Sequence, residues 1–165
     1  MKNILAVTLL FILLNGCATK AFLAQPVSLT GKRIAVGVID ISRDKSGTTI
    51  YNDTVCSCIS QTVGETLYPY FQKMGAVILK IPYEQRTSEA RIHKIADSLQ
   101  VDYLISGTGL VNRTGKTDFM HQLTINLISR QTQEVFLTGS FSGPGVYPAG
   151  AANRVGKKIL NQKLK

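Results

Sequence analysis

The chain has 165 residues, 19 Lys and Arg against 10 Asp and Glu, and a formal net charge of +9. With 44% hydrophobic and 18% charged residues it is too apolar for a disordered polyelectrolyte and too short for two comfortable domains. The basic balance points to acidic partners such as anionic lipid head groups, an anionic polysaccharide or an acidic protein face.

Ile4 to Leu14 is an uncharged apolar run preceded by Lys2 and closed by Leu14-Asn15-Gly16-Cys17. The run is too short to span a bilayer as a mature helix, and its flanks are those of a cleaved signal. A branched aliphatic residue three before a cysteine, with a small residue just before it, resembles a bacterial lipobox. A buried N-terminal helix, or a plain secretory signal with a chance cysteine, is the alternative. The lipobox reading makes 1–16 a signal peptide, Cys17 the acylated residue, 17–32 a lipidated tether and 33–165 one domain. Acyl chains bury about 0.8 kcal/mol per methylene, so several on one residue form a stable anchor. Ala18 follows the cysteine, and resemblance to bacterial lipoproteins implies outer-membrane sorting where this position is not Asp. The expected address is the periplasmic face of the outer membrane, with the inner membrane or the cell surface as alternatives. An exported protein does not ordinarily meet nucleic acid, so that partner is not expected despite the charge.

Arg33 to Asp40 is a run of β-branched and small residues and reads as a buried strand. Ser42 to Gly47 reads as a loop, and Thr48 to Tyr51 as a short extension. Asp53 or Thr54 offers an N-cap to a helix whose stripe is Val55, Ile59, Val63 and Leu67. Pro69 predicts a kink or short break near Tyr68, and Gly75 ends the helix. Ala76 to Ile81 is a second strand. Thr87 or Ser88 caps a second helix facing inward through Ile92, Ile95, Ala96 and Leu99. Val101 to Gly107 is a third strand, with Gly107 and Gly109 suited to close packing or a bulge. Asn112 to Lys116 reads as a turn. Met120 to Ile128 alternates, with Leu123, Ile125 and Leu127 on one side and Thr124, Asn126 and Ile128 on the other. After a turn at 131–133, Val135 to Phe141 alternates again, forming a hairpin with one buried face. Pro144, Gly145, Pro148 and Gly150 read as a loop. Ala151 to Leu164 is a basic helix with Ala152, Val155 and Ile159 inward. The order β-α-β-α-β-β-β-α predicts an α/β (α+β) fold, a mixed sheet of about five strands with helices packed on it.

Catalytic signatures are missing from this pattern. Gly109 to Thr117 places five residues between glycines where a P-loop has four, and it leads into a strand rather than a helix. His93 and His121 lack ligands at metal spacing. Asp40 ends a strand where α/β sheets often carry function, but it equally suits a loop cap. There is no Gly-x-Ser-x-Gly elbow. Cys56 and Cys58 read as two small semi-buried thiols, with a strained or intermolecular disulfide as the alternative. Neither a cofactor nor a metal is expected, and the chain is not expected to be an enzyme. The candidate contact surface is the basic set Arg154, Lys157, Lys158, Lys163 and Lys165, which also reads as an ordinary solvated helix face.

The strand after Lys73-Met74-Gly75, the stretch Val101-Asp-Tyr-Leu-Ile-Ser-Gly-Thr-Gly-Leu-Val111, then Asn112-Arg-Thr-Gly-Lys116 and Leu123-Thr-Ile-Asn-Leu-Ile-Ser129 carry a resemblance over about residues 33–142. They resemble a group of envelope lipoproteins that includes FlgO, CsgG, LpoB and the amino-terminal domain of TolB, and are nearest to FlgO. The resemblance implies a non-enzymatic assembly, scaffold or accessory role, at a flagellar or other outer-membrane machine. It implies envelope protein partners and allows a homo-oligomer. Activation of peptidoglycan synthesis, as by LpoB, and binding of anionic polysaccharide or lipid are the alternatives. LpoB-like activation would call for a longer tether than 17–32, and CsgG-like secretion for barrel-forming strands this chain lacks room for.

Overall fold

The computed structural model describes residues 18–23, 28–43, 53–82 and 88–162, with the side chains of residues 23, 53–57 and 89 outside the description. The signal segment, Cys17, Thr48–Tyr51, Lys163 and Lys165 therefore lie outside the described residues, as does any side-chain cap by Asp53 or Thr54.

Among the described residues six strands form one mixed sheet: β1 (Ala18–Leu23), β2 (Arg33–Arg43), β3 (Val77–Leu79), β4 (Tyr103–Thr114), β5 (Thr117–Ser129) and β6 (Val135–Val146). Three helices join them: α1 (Asp53–Lys73), α2 (Glu89–Ser98) and α3 (Pro148–Asn161). The spatial order is β1-β6-β5-β4-β2-β3. β2 runs parallel to β3 and β4, and the β4-β5-β6-β1 portion is antiparallel. Parallel pairs need a crossover, and α1 and α2 supply it. The α+β class expected from the sequence is the one observed, with six strands in place of about five.

Alternation in β5 puts Leu123, Ile125 and Leu127 on one face, and the register shift between Met120 and Gln122 brings Met120 to the same core, all four buried. They join Ile59, Val63, Leu67 and Phe71 of α1 and Ala152, Val155 and Ile159 of α3 in the larger core. On the other face Ala35 and Leu104 meet Ile92 and Ala96 of α2 in a smaller core. Ser88 caps α2, its hydroxyl accepting from the Arg91 amide at 3.3 Å. Helices α1 and α3 touch closely: a Cβ at Gly156 would sit within 2.7 Å of the Tyr70 ring. The Tyr70 hydroxyl donates to Asn153 Oδ1 at 3.0 Å across the same contact.

Four expectations are corrected. Ala18–Leu23, inside the segment read as a tether, is an edge strand registered on Ser142–Leu137 of β6. Its sequence is short and polar on one side, which an edge strand with one covered face allows. Pro69 does not break α1, which runs through it to Lys73; its exposed face lets water serve the orphaned carbonyl while Leu67 and Phe71 hold the inner face. The turn expected at Asn112–Lys116 shrinks to Gly115-Lys116, because Asn112, Arg113 and Thr114 pair with Phe119, Asp118 and Thr117. Gly115 adopts φ 62°, the positive value that the first position of a II′ hairpin turn requires. Pro144 and Gly145 belong to β6, and Pro148 opens α3 rather than a loop, the first helical position being where proline fits.

Candidate interaction surface

Among the described residues, helix α2 packs on the second face of the sheet against β2 and β4. Beyond it that face bears short polar side chains in register. One row runs Asp40, Thr108, Thr124, Ser140, Lys20 across β2, β4, β5, β6 and β1. A neighbouring row runs Ser106, Asn126, Thr138, Phe22. Thr138 donates to Asn126 Oδ1 at 2.8 Å. Asp40, Thr108 and Lys20 are exposed, and Phe22 retains 69% exposure at the sheet edge. The face is therefore hydroxyl-rich and dipolar, with the Asp40 carboxylate at one end of the row and the Lys20 ammonium at the other.

One end of the sheet gathers a second group. It contains the Gly115-Lys116 turn, the end of β2 at Arg43, the end of β6 and the start of β1. Arg43 and Asp118 form an ion pair at 3.0 Å, their side chains 5% and 11% exposed. The Nε and Nη1 of Arg43 make no hydrogen bond, nor does Asn112 Oδ1. Phe119 packs on Tyr147 with ring centroids 5.4 Å apart, and Tyr147 is 64% exposed. Arg113 and Lys116 are exposed at the hairpin tip.

The basic residues singled out in the sequence divide. Arg154, Lys157 and Lys158 are exposed on the side of α3 opposite its buried stripe, so the described three share one outward face. Arg154 lies 5.4 Å from the Phe141 ring centroid and serves packing as well as charge. Cys58 is a free, exposed thiol rather than a semi-buried one. Asp40 does not end β2, which continues to Arg43. His93 borders a small cleft of about 50 Å³ with Gly37, Leu104, Ile128 and Gln133, and Asp40 is not on its wall. His121 lies on β5 beside Gly145. The structure thus does not bring Asp40 and either histidine together in that cleft. Among the described residues no group of three His, Cys, Asp or Glu is placed to hold a metal, and no helix is long and apolar enough to cross a membrane.

The polar rows and the Arg43–Asp118 pair were not singled out from sequence. The alternation at Thr124 and Asn126 was the available signal for the first. The second joins residues 75 positions apart, and nothing local announces it.

No protein-family model matches the chain, and no curated protein matches it. Solved structures do. A dodecamer of a PelC variant from Paraburkholderia phytofirmans is similar at 15% identity, covering 90% of this chain and 99% of that one, with a TM-score of 0.55. A second PelC dodecamer from the same organism covers 87% and 94%, at 15% identity and a TM-score of 0.50. The LpoB C-terminal domain from Salmonella enterica is similar at 15% identity over 75% of this chain and 87% of that one, with a TM-score of 0.38. The chain shares the fold of PelC.

Proposed function

We propose that the chain is a lipid-anchored, non-enzymatic envelope lipoprotein. It acts as an assembly, scaffold or accessory subunit, FlgO-like in role, at the periplasmic face of the outer membrane. The observation that carries this reading is the edge strand β1, which begins one residue after the lipobox cysteine. A body whose sheet starts at its anchor has almost no linker and works beside its bilayer. The polar face and the sheet edges at β1 and β3 are surfaces for partners rather than for turnover. The fold is one that PelC presents as a dodecamer, which supports self-association as the mode of assembly.

The test is made on the full chain in a Gram-negative host. The wild type is expected in the outer-membrane fraction, with an N-terminal peptide beginning at acylated Cys17 and a native mass that is a multiple of the protomer. Cys17→Ser is expected to lose the acyl mass and the membrane location. A wild-type chain that keeps Met1 and bears no acyl mass overturns the reading.

A further inference from the structure

We propose that the end of the sheet bearing the Phe119–Tyr147 pair and the Gly115-Lys116 turn is the surface on which the domain rests against an anionic phospholipid bilayer. The inference rests on acylation of Cys17 and adds which face the anchor presents to the membrane.

β1 runs antiparallel to β6, with Ala18 opposite Ser142 and Leu23 opposite Leu137. Stepping back from Leu23 to Ala18 therefore leads toward the end where β6 finishes and the β4–β5 hairpin turns. Residue 17 is one peptide farther, its Cα about 3.8 Å from that of Ala18. An acyl group there draws this end, and not the end carrying the β5–β6 turn, to the bilayer.

The offset fixes a tilt. The row of Ala18 and Ser142 continues through Gln122 and Leu110. The hairpin tip lies about five residues beyond that row, roughly 16 Å at ~3.3 Å per residue. Three strand spacings separate β1 from β4, about 14 Å. A membrane plane touching both the anchor and the tip thus crosses the strands at roughly 45°. Tyr147, just past the end of β6, lies beyond the Ala18 row on the same side as the hairpin tip.

The chemistry of this end suits the interface. Tyr147 is exposed and stacked on Phe119, and amphipathic rings favour the head-group level. Arg113 and Lys116 are exposed cations, attracted to an anionic surface. The described carboxylate at this end, Asp118, is buried against Arg43 and offers little repulsion. An exposed Tyr past the end of β6, two exposed cations at the hairpin tip and the acyl point thus lie at one end of the sheet.

The chain contains no Trp, so one introduced Trp reports its own depth. Tyr147→Trp and Gln131→Trp, the latter at the opposite end of the sheet, are prepared as lipidated full-length proteins. Each is placed in phosphatidylglycerol-containing vesicles with lipids brominated near the head groups. Several-fold stronger quenching and a blue shift are expected for Tyr147→Trp only. Adding Arg113→Glu and Lys116→Glu is expected to bring its quenching down toward that of Gln131→Trp. Equal quenching at the two positions, in protein that floats with the vesicles, overturns the orientation and leaves the anchor reading intact. Protein that does not float overturns the anchor reading, and the orientation with it.

Discussion

Removing the Asp118 carboxylate is expected to cost about 3–5 kcal/mol, because Asp118→Asn leaves the Arg43 guanidinium charged and buried without its counterion. Urea unfolding checks this, and replacing the pair together by Arg43→Met and Asp118→Leu is expected to recover most of the loss. A smaller single-variant cost than that of an exposed ion pair, about 1 kcal/mol or less, would mean that water reaches the guanidinium. Gly156 poses a steric question rather than an electrostatic one. Its missing side chain admits the Tyr70 ring, so Gly156→Ala is expected to destabilise by about 1–3 kcal/mol despite the better helix propensity of Ala. Tyr70→Leu in the same background is expected to relieve much of that penalty, which thermal unfolding of the three variants measures.

At the scale of elements, Pro69 is the clearest local flaw. It sits exposed inside a continuous helix of 21 residues, lacks an amide to donate, and crowds the preceding turn. Pro69→Ala is expected to raise stability by about 1–3 kcal/mol, seen as a melting temperature higher by several degrees. An unchanged midpoint would show that α1 has already bent to absorb the ring. The same helix shows why some elements were readable from sequence. Ile59, Val63 and Leu67 repeat at helical spacing and are all buried, and the inward residues Leu123, Ile125 and Leu127 announce β5 by alternation. β1 was not readable. Ala18-Thr-Lys-Ala-Phe-Leu23 shows weak alternation, and its partner lies more than a hundred residues away. The far half of β4 failed for a related reason: Asn112, Arg113 and Thr114 are polar, and only pairing with β5 makes them strand. Burial writes a pattern into sequence, whereas cross-strand pairing beyond the core does not.

For the whole molecule, the sheet has helices on one face and a helix over only part of the other. That asymmetry leaves Thr124 at the middle of the open polar face, flanked in register by Thr108 and Ser140. If the proposed self-association uses this face, Thr124→Arg reduces the native mass to that of a protomer while shifting the melting temperature by only a few degrees, checked by light scattering and calorimetry. An unchanged assembly moves the subunit contact to the sheet edges. The exposed face of Arg154, Lys157 and Lys158 gives a separate expectation. If it captures a polyanion, Lys157→Glu with Lys158→Glu weakens binding in a manner that salt mimics.

The pairing of the first strand with the last also sets a timetable. Ala18–Leu23 waits for Leu137–Ser142, about 120 residues later, or roughly 6–24 s at ribosomal speeds of 5–20 residues per second. Until then Ala18–Leu23 lacks its β6 partner. On the proposed lipoprotein reading, cleavage before Cys17 belongs to that interval, and a chain whose edge paired first would carry its processing point one residue from a hydrogen-bonded strand.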